Sequence, residues 1–127
     1  MSFGMPRSAG KRIAVRLSPR FRVFYGEEIA LGPGKVKLLK AIRETGSIRQ
    51  AASDLEMSYM RAWTLVRTMN SSFNFPVVEA LRGGEKHGGA SLTATGQKVL
   101  KTYDRMEQKA IKATQADWKK LCSLLRT

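Results

Sequence analysis

The chain of 127 residues has one cysteine, one histidine and only ten acidic residues. Each scarcity excludes something. Cys122 alone cannot form an intrachain disulfide, and a reducing cytosol suits such a chain. One Cys with one His falls short of a metal-ligand set, so no metal site is expected. Long apolar runs are missing too: no stretch of about 18 apolar residues occurs. The opening "MSFGMPRSAGKR" has no apolar signal core. Secretion and membrane spanning are disfavoured, and a cytoplasmic protein with no membrane partner is expected. No paired carboxylate, metal cluster or nucleophile–base pair can be placed, so the chain does not read as an enzyme.

The shortage of acids carries the most information. Lys and Arg number 23 against 10 Asp and Glu, a formal charge of +13. The surplus is not a detachable tail. It is +4 over residues 1–31, +4 over 32–73, zero over 74–96 and +5 over 97–127. A field of that size implies a polyanionic partner, nucleic acid first and an anionic membrane surface second. The apolar fraction of 43% fits one soluble globular domain with a modest core.

Local patterns organise the rest. Residues 1–12 read as a disordered basic arm. "IAVRL" and "RFRVFYGEEIAL" read as strands, with Gly26-Glu27 a hairpin turn. Pro33 suits the first turn of a helix. Val36, Leu39, Ala41 and Ile42 give that helix its stripe, and Gly46 ends it in a left-handed cap. Ser47-Ile48-Arg49-Gln50 fits the S-x-x-Q capping box of a second helix, whose inward face is Ala51, Ala52 and Leu55. Ser58 caps a third helix, on which Ala62, Leu65, Val66, Met69 and Phe73 recur at helical spacing. "FNFPVVEAL" reads as a strand, "RGGEKHGG" as a loop and "ASL" as a short returning strand. Thr93 or Thr95 caps a final helix running to about Leu125. The expected fold is mainly α with small β elements.

Two helices joined by about three residues cross steeply, and small side chains such as Ala51 and Ala52 are needed where they meet. This is the helix-turn-helix pattern, in which the second helix can enter a major groove. With Ala62, Val66 and Met69 facing inward, Met60, Thr64, Arg67 and Ser71 face outward, and Arg61 and Trp63 sit on the flanks. Ser58 and Tyr59 lie at the N-terminus, where free N–H groups favour a phosphate. Ser47 and Arg49 hold the corresponding place on the preceding helix. No acid occurs between Glu56 and Glu79, as a phosphate-lined groove requires. An ordinary helical hairpin would mix Glu with Lys on such a face.

Strand, Gly-rich loop, short strand and helix then read as a wing, with Arg82, Lys86 and His87 as charges and donors at its tip. Gly83 and Gly88 have P-loop spacing, but Gly89 and Ala90 stand where that motif needs Lys and Ser or Thr, so it fails. The expected DNA-binding set is therefore Ser47, Arg49, Ser58, Tyr59, Met60, Arg61, Trp63, Thr64, Arg67, Arg82, Lys86 and His87. The expected divisions are a basic arm at 1–12, a winged helix-turn-helix at 13–96 and a dimerisation helix at 97–127. A final helix of about 30 residues spans roughly 45 Å, more than this domain's core can cover. Its stripe of Tyr103, Met106, Ala110, Ile111, Thr114, Trp118, Leu121 and Leu125 is expected to pair with a second copy.

The stretches "LLKAIRETGSIRQAASDLEMSYMRAWTLVRTMN" and "FNFPVVEALRGGEKHGGASLTATGQKVL" resemble the N-terminal DNA-binding domain of the molybdate-responsive ModE regulators. E-T-G-S-I, M-S-Y-x-x-A-W, M-N and G-G…G-G-A-x-L-T-x-x-G carry the resemblance, over about residues 20–105. A more distant likeness is to LysR-type winged helices. The resemblance implies a winged helix-turn-helix that binds double-stranded operator DNA as a homodimer and regulates molybdate transport or molybdoenzyme genes. Glu56 departs from the pattern, which has Gly there. The family's molybdate sites lie in C-terminal β-barrel modules for which this chain, ending at Thr127, has no room. No cofactor is therefore expected in it, and any effector sensing is expected to fall to a separate protein or to be absent. The alternative, on charge alone, is a sequence-independent RNA-binding or nucleoid-associated protein.

Overall fold

A computed structural model describes residues 13–81 and 89–126. The first regular element is a β-hairpin, β1 (Val23–Tyr25) and β2 (Glu28–Leu31), turning at Gly26 with φ +64°. Its register shifts between Val23 and Phe24, a bulge that swings the hairpin so that Ala30 and Leu31 are buried while Phe24 and Tyr25 stay exposed. Residues 13–20 form no strand, contrary to the expectation for "IAVRL". An isolated strand leaves its N–H and C=O groups without a ladder, and no neighbouring edge among the described residues pairs with this one.

Helices α1 (Pro33–Thr45), α2 (Ile48–Asp54) and α3 (Tyr59–Ser72) follow as expected. Gly46 closes α1 at φ +71°, its N–H donating to the Ile42 carbonyl at 2.8 Å. The Ser47 hydroxyl accepts from the Gln50 N–H at 3.0 Å. The reciprocal half of the expected capping box is not made. The Gln50 amide instead donates to Asp54, and the Ser47 N–H donates to the Thr45 hydroxyl. Ile48, Ala51, Ala52, Ala62, Val66 and Met69 pack against Leu38, Leu39 and Ile42 of α1. That face-to-face burial of aliphatic side chains, each contributing about 1.5–3 kcal/mol when large, sets the crossing of α2 and α3.

The strand read in "FNFPVVEAL" shrinks to β3 (Val78–Ala80), paired antiparallel with β4 (Ala90–Leu92). Pro76 has no N–H to give a ladder. The backbone next to it is taken by Asn70 at the end of α3. Its side-chain oxygen accepts from Val77 and Val78 at 2.8 and 3.2 Å, and its amide donates to the Val78 carbonyl at 3.1 Å. At the other end of β4, the Ala90 N–H donates to the Gly46 carbonyl and Ser47 bridges Gly89. The stem of the wing is thus anchored to both ends of the helix-turn-helix.

Thr93, of the two candidates, caps the next helix, its hydroxyl accepting from the Gly96 N–H at 3.0 Å. The single long helix expected to Leu125 is broken. Helix α4 (Ala94–Ala113) ends at Thr114 and α5 (Gln115–Ser123) begins. The Thr114 hydroxyl donates back to the Ala110 carbonyl at 2.7 Å and the Gln115 amide to the Ile111 carbonyl. Side-chain bonds of this kind to helix carbonyls often bend a helix, although Thr64 and Thr68 make them within an unbroken α3. Tyr103 of α4, expected at a dimer seam, is instead buried at 2% exposure in the domain's own core. Its hydroxyl donates to the Phe21 carbonyl at 2.9 Å and its ring meets Phe21 edge-on. Burial first, and the charge of Glu107 second, push its phenol above the usual tyrosine range.

Candidate nucleic-acid interface

The joint between α2 and α3 is a Schellman turn. The Met57 N–H donates to the Ala52 carbonyl and the Glu56 N–H to the Ser53 carbonyl. Glu56 occupies the left-handed position at φ 58°, where the turn favours Gly. The conformation survives the departure noted in the sequence, because the two turn bonds and the half-buried Leu55 and Met57 on either side hold it.

Ser58 then starts α3, its hydroxyl accepting from the Arg61 N–H at 3.0 Å. The core grips one face of the helix through Ala62, Val66 and Met69, all at most 1% exposed. The opposite face presents Met60, Thr64, Arg67 and Ser71 to solvent, as the spacing requires. The Thr64 hydroxyl donates to the Met60 carbonyl at 2.9 Å. Its free face is therefore a methyl group and oxygen lone pairs, which suits a thymine methyl or an amino group on a base edge. Neither Arg61 nor Arg67 enters an ion pair among the described residues.

Arg49, Tyr59 and Trp63 come together as one cluster on a shoulder of α3. The Arg49 guanidinium lies 4.2 Å from the centre of the Tyr59 ring. Tyr59 and Trp63 meet edge to face at 6.3 Å, and the Trp63 indole N–H donates to the Tyr59 hydroxyl. Both aromatic rings are half-buried against the core. They position Arg49 as much as they offer contacts, while the Tyr59 hydroxyl keeps its own proton to donate outward. Ser47 is half-buried, at the N-cap of α2. Arg82, Lys86, His87 and the arm at 1–12 lie outside the described residues.

Sequence reading passed over Arg20 and Arg22. Both line a cleft of about 510 Å³ between the chain leading into β1, the start of α1, and the other shoulder of α3. The R-x-R spacing, which puts alternate side chains on one side of an extended chain, was the available signal. In the same cleft the Lys35 ammonium donates to the Ile29 carbonyl, and burial pulls its pKa down while Glu28 pushes it up. Of the expected apolar stripe, Met106 on α4, Leu121 on α5 and Leu125, past the end of α5, are exposed, Ala110, Ile111 and Trp118 half-exposed, and Thr114, between the two helices, exposed. No residue of α5 is buried. No described helix is long and apolar enough to cross a membrane.

The family model of the bacterial regulatory helix-turn-helix proteins, lysR family, matches residues 34–97. Among curated proteins the chain is 37% identical over 82 residues to the transcriptional regulator ModE of Haemophilus influenzae. It is 38% identical over 82 residues to the DNA-binding transcriptional dual regulator ModE of Escherichia coli. It is 44% identical over 77 residues to the molybdenum-pterin-binding protein MopB of Rhodobacter capsulatus. These matches cover 65%, 65% and 61% of this chain but 32%, 31% and 28% of the relatives, so the chain spans about a third of their length. Among solved structures, the DNA-binding domain of CbnR in complex with DNA superposes with a TM-score of 0.53 at 20% identity, over 69% of this chain and 95% of that one. That likeness is one of fold.

Proposed function

The chain belongs to the lysR family of bacterial regulatory helix-turn-helix proteins, and from that premise we propose that it is a sequence-specific transcriptional regulator of the ModE-like type. It binds double-stranded operator DNA as a homodimer, in the cytoplasm and without catalysing a reaction. One observation carries the reading. Helix α3 is clamped by Ala62, Val66 and Met69, and turns outward a face of Met60, Thr64, Arg67 and Ser71 that has no acid on it. Such a face fits between phosphates and still offers base-specific donors and acceptors. Regulation of molybdate-related genes is the reading favoured by the names of the relatives. Two-fold pairing is supported by the exposed Met106 on α4, Leu121 on α5 and Leu124 and Leu125 just past it, which the domain's own core leaves uncovered.

The test is selection of bound duplexes from a random pool, followed by single substitutions. Arg67→Ala or Thr64→Ala is expected to relax preference at particular base positions, by ~1–3 kcal/mol each. Equal loss on selected and random duplexes would instead mark a sequence-independent basic protein. Molybdate is expected not to bind these residues specifically, because an oxyanion needs several donors converging in a partly dry pocket. Any effector response then arises outside these residues or is absent. Calorimetric titration with molybdate, with sulfate as control, checks this. A stoichiometric signal for molybdate alone overturns it.

A further inference from the structure

Stepping ~100° per residue around α3, the outward face of Met60, Thr64, Arg67 and Ser71 has two shoulders. Tyr59, Trp63 and Asn70 lie on one, and Arg61, Leu65 and Thr68 on the other. A helix with side chains is roughly 10–12 Å across and the major groove is about 12 Å wide, so each shoulder of an inserted helix faces a phosphate rail. The first shoulder carries Arg49, held over Tyr59. The second shoulder forms one side of the 510 Å³ cleft, and Arg20 and Arg22 form the facing side.

Charge in this cleft is uncommitted. Arg20, Arg22 and Arg61 make no ion pair among the described residues, where the pairs found are Lys40–Asp104 and Arg43–Glu44. Glu27 and Glu28 also line the cleft, yet neither reaches an arginine. Lys35 is spent on the Ile29 carbonyl, so it shapes the site more than it reaches out. Three guanidiniums around one groove beside the reading helix suit tetrahedral phosphate oxygens, which each can meet with two N–H donors.

We propose that this cleft is a second backbone-binding site, in which Arg20, Arg22 and Arg61 hold the DNA sugar–phosphate strand on the side of α3 opposite Arg49. The proposal rests on the DNA-binding reading and names where that site continues. It makes the β-hairpin and the chain before it a DNA-binding part, separate from the wing.

The experiment measures affinity of the full chain for a selected duplex and a random duplex across a salt series. Removing two phosphate contacts with Arg20→Ala/Arg22→Ala is expected to flatten the log–log salt slope by about 1.8, at ~0.9 per phosphate, with equal proportional loss on both duplexes. Arg20→Lys/Arg22→Lys, which keeps the charge, should retain most of the slope, and thermal melting checks that both variants fold. Glu27→Gln/Glu28→Gln should tighten binding to both duplexes. A wild type with a steep salt slope and an alanine double variant with the same slope overturns the cleft alone. A wild type that binds no duplex overturns the DNA reading with it. Titration with inorganic phosphate and with molybdate separates the sources of the anion. Micromolar binding of either that is lost in the alanine variant, beside an unchanged duplex slope, makes the cleft a free-oxyanion site and overturns the proposal.

Discussion

Glu56 holds a backbone conformation at φ 58° that costs an L-residue about 1–2 kcal/mol. It forms no ion pair among the described residues, so its side chain does not return that strain as an electrostatic gain. Replacing it removes the strain but gives the unfolded chain more freedom, worth ~0.4–1 kcal/mol. Glu56→Gly is therefore expected to raise stability by about 0.5–1 kcal/mol. The measurement is the urea midpoint at unchanged slope. A lowered midpoint would mean that Glu56 makes a contact that compensates its backbone. Asn70 shows the opposite economy. One side chain satisfies two N–H groups and a carbonyl of the β3 region, which explains why a polar residue interrupts an otherwise regular helical stripe.

At the scale of elements, the junction of β4 and α4 shows how closely the wing stem is fitted. The Thr93 N–H donates to the Val77 carbonyl and the Thr93 hydroxyl to the Pro76 carbonyl. A Cβ at Gly96 would lie 2.2 Å from the Val77 carbonyl oxygen. That oxygen is backbone in a hydrogen-bonded strand end and cannot rotate away. Gly96→Ala should force α4 off the sheet and cost about 1–3 kcal/mol, the range for overpacking. Thermal unfolding reads it directly, and an unchanged midpoint would show that the first turn of α4 has slack. The T-x-x-G pattern in "LTATG" thus has a steric cause. The interruption at Thr114 has no such sequence mark, since Thr64 and Thr68 make the same hydroxyl bond to the carbonyl four residues back inside an unbroken α3.

For the whole molecule, the apolar residues that the core leaves exposed include Met106 on α4, Leu121 on α5 and Leu124 and Leu125 just past it. Trp118→Asp together with Leu121→Asp places two charges in the proposed seam. Sedimentation should then show monomers, and operator affinity should fall because half of the phosphate contacts are lost. A wild type that is monomeric at micromolar concentration, both free and on DNA, rules the dimer out. Tyr103 narrows the seam. With its ring buried against Phe21, the surface available for pairing starts at Met106.

Short-range physics alone makes most of the fold legible in the sequence. The period of apolar residues marks α1, α2 and α3. The caps at Ser47, Ser58 and Thr93 mark the starts of α2, α3 and α4, and the glycines at 26 and 46 mark turns that need positive φ. The acid-free face of α3 follows from composition and helical period together, and it is where the structure leaves it exposed. The tertiary structure alone decided what depends on neighbours distant in sequence. Tyr103 points inward because Phe21, 82 residues away, offers a carbonyl and a ring. The strand after Pro76 is short because Asn70 takes its backbone groups. Arg20 and Arg22 reach the shoulder of α3 because burial of Ala30 and Leu31 seats the hairpin there. Tyr103 and the short strand have no period or motif, and the R-x-R spacing puts two arginines on one side without saying what they face, because each is a contact between segments and not a property of either one.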